Sequence, residues 1–110
     1  MAYDEDLANR IRELVGTSDG LTEKRMFGGL AFLINGNMSV AASGQGGMLV
    51  RVDPDETDKF LDEPHAELMV MRGRSMQGWL RVTPDGLTTK RQLERWVKRG
   101  VTYARSLPTK

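Results

Sequence analysis

Apolar residues recur at Leu7, Ile11, Leu14 and Val15, a spacing that lines one side of a helix and leaves Glu5, Asn9, Arg10, Arg12 and Glu13 to water. The pattern predicts a helix over residues 4–15, with Asp4, Glu5 and Asp6 in the first turn, where they favour the positive end of the helix dipole. Gly16 and the polar residues after it end the helix and open a loop. Over residues 25–52 the texture changes to short apolar runs broken by glycine. Residues 30–34 and 37–41 flank Asn35-Gly36, a pair that accepts the positive φ angles of a type I′ hairpin turn. The glycine-rich residues 43–47 lead into residues 48–52, so the stretch predicts a three-stranded antiparallel meander with Met48, Val50 and Val52 on one face.

Asp53-Pro54 starts a short helix: Asp can cap exposed amides, and Pro at the first helical position has no amide to lose. This helix is expected to run to about Asp62, closed by Pro64. Residues 65–71 and 79–83 read as two further strands, joined by the glycine- and arginine-containing residues 72–78. After the turn Pro84-Asp85-Gly86, Thr89 and Gln92 form a capping box before a last helix whose apolar stripe is Leu93, Trp96, Val97, Gly100 and Ala104. The order α-β-β-β-α-β-β-α predicts a two-layer α+β fold in which helices flank a five-stranded antiparallel sheet, as one domain over residues 1–110.

Composition narrows the chemistry. The chain has no cysteine, which removes disulfides, thiolate nucleophiles and thiolate zinc sites. Its first residues are acidic where a secretory signal needs positive charge, and no apolar run reaches the length of a membrane span, so a cytoplasmic location without membrane association is expected. The net charge of +1 hides an asymmetry: residues 1–71 carry 6 basic against 13 acidic residues (−7), and residues 72–110 carry 10 against 2 (+8).

No catalytic constellation is visible. The glycines match neither a phosphate loop nor a dinucleotide fingerprint, and Gly28-Gly29 falls between strands. His65 is the sole histidine, without a second ligand or an orienting carboxylate at helical spacing, and reads as structural or solvent-facing. Asp53, Asp55, Glu56, Asp58, Asp62 and Glu63 read as helix-end and solvent-face groups. No catalytic, cofactor or metal residue is assigned. Met26, Met38, Met48, Met69 and Met71 fall in strand patterns and are expected in the core, with Met76 exposed. The most suggestive feature is basic: Lys90, Arg91, Arg95, Lys98, Arg99 and Arg105 lie off the apolar stripe of the last helix, and Arg72 and Arg74 precede it in a loop. These residues would meet either phosphates, an acidic partner, or the acidic first and second helices of the same chain.

Arg25-Met26-Phe27-Gly28-Gly29, followed by the Asn35-Gly36 hairpin and by Leu49-Val50-Arg51-Val52-Asp53, resembles the TfoX/Sxy N-terminal domain. The similarity extends more loosely through Gly73-Arg74, Met76 and Trp79 to the helix of Trp96. The resemblance implies an antiparallel sheet flanked by helices, with the glycines giving a tight backbone path and Met26 and Phe27 filling the core. It also implies a role in regulation: larger members resemble competence regulators that act with the cyclic-AMP receptor protein and carry a second, C-terminal domain. The chain ends before such a domain, so a stand-alone N-terminal domain is expected.

Three functions follow as expectations. The first is a non-enzymatic regulatory or protein-interaction domain, with a transcription regulator or a second copy as partner. The second is sequence-nonspecific binding of duplex DNA through the basic last helix. The third, a small-ligand binder or enzyme, requires convergent polar groups, such as a pocket lined by Arg51, Arg74 and Arg81.

Overall fold

In a computed structural model, which describes residues 3–16, 19–26, 28–71 and 73–109, Asp4 caps α1 (Glu5–Val15) by accepting the amides of Asp6 and Leu7. Four strands follow: β1 (Leu21–Met26), β2 (Gly29–Ile34), β3 (Asn37–Ala42) and β4 (Met48–Arg51). A 3-10 turn, Pro54–Glu56, begun by Asp53 accepting the amide of Asp55, runs into α2 (Thr57–Leu61). The chain then forms β5 (Ala66–Met71), β6 (Arg74–Val82), a second 3-10 turn (Pro84–Leu87) and α3 (Lys90–Ser106). Thr89 and Gln92 close the capping box at the start of α3. All neighbouring strands are antiparallel, in the order β1-β2-β3-β4-β6-β5.

The fold class is as expected, but the sheet has six strands rather than five. The additional strand is β1, which the sequence pattern leaves as loop: it is an edge strand whose four middle residues are all exposed, so no apolar alternation marks it. The segment expected to join the last two strands is also largely strand, because β6 begins at Arg74. Its first residues pair with β5 alone, extending beyond the last β4–β6 pair, Arg51 with Trp79, which leaves them wet and polar.

Alternation along the strands divides the apolar residues between two faces. Leu30, Phe32, Val40, Ala42, Met48, Val50, Leu80 and Val82 face α1, α2 and α3, completing a core with Leu7, Ile11, Phe60, Leu93, Trp96 and Val97. Ala31, Met38, Ala41, Leu49 and Met69 form a second cluster, with Met26, Leu33, Met76 and Trp79 packed against it. The methionines are therefore split. Met48 is in the helix-facing core, Met38 and Met69 are buried in the second cluster, and Met26 and Met76 are half-buried, so Met76 is not the exposed residue expected. The side chain of Met71 lies outside the described residues.

A bulge explains why Met38 and Val40 belong to different faces. The register passes from Phe32–Val40 to Leu33–Met38, leaving Ser39 as an extra residue whose hydroxyl donates to the Phe32 carbonyl at 2.7 Å. Above this bulge α3 comes down on the sheet at Gly100. A Cβ there would stand 2.5 Å from the Ser39 carbonyl oxygen and 2.7 Å from Cγ1 of Val40.

Two outcomes follow from these contacts. Gly100→Ala should destabilise the protein by about 1–3 kcal/mol through overpacking, although alanine has the better helix propensity; a urea midpoint at or above that of the wild type would show that α3 is free to lift. Glu23 of β1 accepts two hydrogen bonds from Arg12 of α1, each 2.8 Å, and this holds the Glu23 carboxyl below the usual carboxylate range. A depressed carboxyl pKa in the folded state adds stability that is present above the unfolded pKa and is lost as pH falls through the folded one. Glu23→Gln should therefore lower the urea midpoint at neutral pH, by an amount that shrinks as pH falls through the folded-state pKa of Glu23.

Candidate functional site

Because Leu93, Trp96, Val97, Gly100 and Ala104 are buried, the opposite side of α3 is fixed as its solvent face. Arg91, Arg95, Lys98 and Arg105 recur there at spacings of three, four and seven, one row that is exposed throughout. From Arg91 to Arg105 the row runs about 21 Å along the helix. Among the described residues no carboxylate lies within ion-pair distance of Arg91, Lys98 or Arg105.

The other basic residues do not join this row. Lys90 turns toward α1, where it lines a shallow depression with Arg10, Glu13, Leu14 and Leu93. Arg74 opens β6 opposite Met71 at the tip of the β5–β6 hairpin. Arg72 lies outside the described residues, as does Phe27 of the glycine motif. Arg25 and Met26 end β1, Arg25 exposed and Met26 half-buried. Gly28 has φ +73°, and a Cβ on Gly29 would run into the carbonyl oxygen of Ala42.

Arg99 faces inward. Its guanidinium lies over the rings of Phe60 at 4.5 Å and Trp96 at 4.6 Å, and its Nη2 is 2.7 Å from Oε2 of Glu63. Nη1 is buried with no oxygen partner; the two ring faces supply its attraction instead. Glu63 also holds Arg95 at 3.7 Å. The expected pairing of the basic helix with the acidic ones is thus limited: Glu63, just after α2, takes two arginines, while the described ion pair of α1 goes to β1.

Between α3 and the Pro54–Glu56 turn runs a groove of about 440 Å³, lined by Val52, Asp53, Glu56, Phe60, Arg95, Lys98, Arg99, Thr102, Tyr103 and Ser106. Its wall is anchored at a second bulge, where the β5–β6 register passes from Leu68–Leu80 to Met69–Met76. The carbonyl of Gly78 in that bulge accepts the Val52 amide at 2.8 Å, and its amide donates to the buried Thr57 hydroxyl at 2.9 Å. The same hydroxyl donates to the Pro54 carbonyl at 2.9 Å. At the end of β4, Arg51 is held between Trp79 and Tyr103, 5.2 and 5.7 Å from the ring centres.

Arg51, Arg74 and Arg81 do not converge on a pocket. Arg51 is held between its two rings, Arg74 is at the hairpin tip, and Arg81 donates to the carbonyls of Gln45 and Gly46 and to the Ser43 hydroxyl. His65 is exposed with φ 72°. Among the described residues no group of three or more His, Cys, Asp or Glu is placed to hold a metal ion, and no helix is long and apolar enough to cross a membrane. Sequence reasoning missed the groove, whose floor comes from Val52, Phe60 and Tyr103. Its only signal was that Arg95, Arg99, Thr102, Tyr103 and Ser106 share a helical flank.

The TfoX N-terminal domain family model matches residues 13–104. No curated protein matches the chain.

The inward arginine gives a direct test. Arg99→Ala should destabilise by about 1–2 kcal/mol, since both ring contacts and the ion pair go. Glu63→Gln, which leaves the stack in place, should cost less than about 1 kcal/mol. Urea denaturation of both variants checks the order; equal losses would mean that the rings contribute nothing.

Proposed function

We propose, starting from the fact that the chain belongs to the TfoX N-terminal domain family, that it is a non-enzymatic regulatory domain that docks an acidic protein surface on the outer row of α3. The observation that carries this reading is the row itself: Arg91, Lys98 and Arg105 stand on one exposed helix face with no acidic partner among the described residues. Like charges at one-turn and two-turn spacing repel one another in the free protein. A partner that brings carboxylates to the row relieves that repulsion and gains charge-assisted hydrogen bonds.

Duplex DNA is the second reading, favoured by the length of the row along a single helix. Three features favour protein instead. Glu94 stands beside the row one turn from both Arg91 and Lys98, Asp53, Glu56 and Glu63 border its groove side, and the rings of Phe60 and Trp96 are covered by Arg99. Phosphates spaced continuously along a duplex would meet those carboxylates, whereas a protein surface can set its carboxylates opposite the three cations alone.

Replacing Arg91, Lys98 and Arg105 together by Glu changes exposed positions only and should leave the fold intact. The wild-type protein used as bait in extract of its native cell should retain a defined protein that the triple variant loses, and a labelled duplex should give no anisotropy change even at low salt. Identical retention by both baits would end the assignment of the row to a protein partner. Saturable duplex binding that weakens steeply with salt would transfer the row to DNA.

A further inference from the structure

The groove beside α3 has properties that a flat charged row does not need. Its floor is apolar, with Val52 2% and Phe60 8% exposed. Its volume of about 440 Å³ falls in the range of small-molecule sites, roughly 300–1,000 Å³. We propose that it is a binding site for a small organic monoanion with a flat apolar body, of which an aromatic carboxylate is the simplest example. The groove shares Arg95 and Lys98 with the outer row, whereas Arg91 and Arg105 lie outside it.

The lining sets the ligand's polarity. Arg99 is held by Glu63, Phe60 and Trp96 and its unpartnered Nη1 is buried, so it gives the α3 wall its positive potential without presenting a donor to the open groove. Lys98, at the rim, is the lining cation with no ion partner among the described residues and supplies the counter-charge. Across the groove stand Asp53, whose carboxylate already accepts the Asp55 amide, and the exposed Glu56. These two acids disfavour a second negative group at the far end of the ligand, and a single negative group on the α3 side is the arrangement that fits.

The site is also preformed. The hydrogen bonds of Gly78 to Val52 and Thr57 hold the turn that makes one wall, and the Phe60–Arg99–Trp96 stack holds α2 against the other. A preformed slot with an apolar floor loses little on binding, which suits a small ligand. A partner protein laid across the row would instead contact its rim.

The test is a titration with naphthalene carboxylate, followed by backbone amide NMR shifts, with the neutral naphthalene methanol as control. Saturable shifts should be confined to residues 52–60 and 95–106, and affinity should fall about tenfold for the alcohol and for Lys98→Glu. Thr102→Trp, at an exposed groove position, should block binding by filling the slot, whereas Arg91→Glu, on the row but outside the groove, should not change it. Absence of saturable shifts in the groove, equal affinity for acid and alcohol, or equal loss in Arg91→Glu and Lys98→Glu would overturn the assignment.

Discussion

The contact on which the surface depends is the approach of α3 to the sheet at Gly100. Ser39, the extra residue of the β2–β3 bulge, presents its carbonyl to the Gly100 Cα, and only a residue without a Cβ lets the helix settle there. That contact sets the rotation of α3 about its own axis. With Gly100 at the bottom and Leu93, Trp96 and Ala104 beside it, the row of Arg91, Arg95, Lys98 and Arg105 has to face outward. A rotation by one residue would bury a cation or expose Trp96, and either would cost more than the bulge does.

A second anchor determines what lies beside that row. Gly78, in the β6 bulge, ties the end of β4 and the start of α2 together through Val52 and Thr57. The corner so formed carries Phe60, which meets Trp96 edge-on at a centroid distance of 6.3 Å, with Arg99 lying over both rings. The groove is the space these two anchors leave open: α3 is seated by the first bulge, and the corner is held off it by the second. Irregularities in the two strand pairings therefore shape the surface more than the regular ladders do.

Those irregularities explain what was legible in the sequence. Helix ends were, because caps are local chemistry: the Asp53-Pro54 start and the Thr89–Gln92 box act where the pattern puts them, while Asp4, read as a first-turn residue, is the cap itself. The Asn35-Gly36 hairpin was as well, since both residues take positive φ. β1 was not, because an edge strand with exposed Thr22, Glu23, Lys24 and Arg25 carries no period-two apolar signal. Neither bulge was legible, and without the first, strand alternation puts Met38 and Val40 on one face. The row on α3 followed from helical spacing, while the groove did not, because its second wall comes from residues about forty positions earlier in the chain.

The division of charge along the chain, acidic first and basic last, shows how little the folded molecule neutralises itself. Proximity alone would suggest that α1, which packs against α3, supplies its counter-charges. The described ion pairs run otherwise: Arg12 of α1 goes to β1, and one carboxylate, Glu63, serves both Arg95 and Arg99. The reason is geometric. The face of α1 that meets α3 is apolar, through Leu7, Ile11, Leu14 and Val15, and where Glu13 of α1 does come beside α3 it lines a depression with Lys90, off the basic row. Packing two amphipathic helices by their apolar stripes necessarily separates their polar faces. A chain whose halves carry opposite charge thus folds into a domain that keeps a cationic face, and that face remains available to whatever binds the protein.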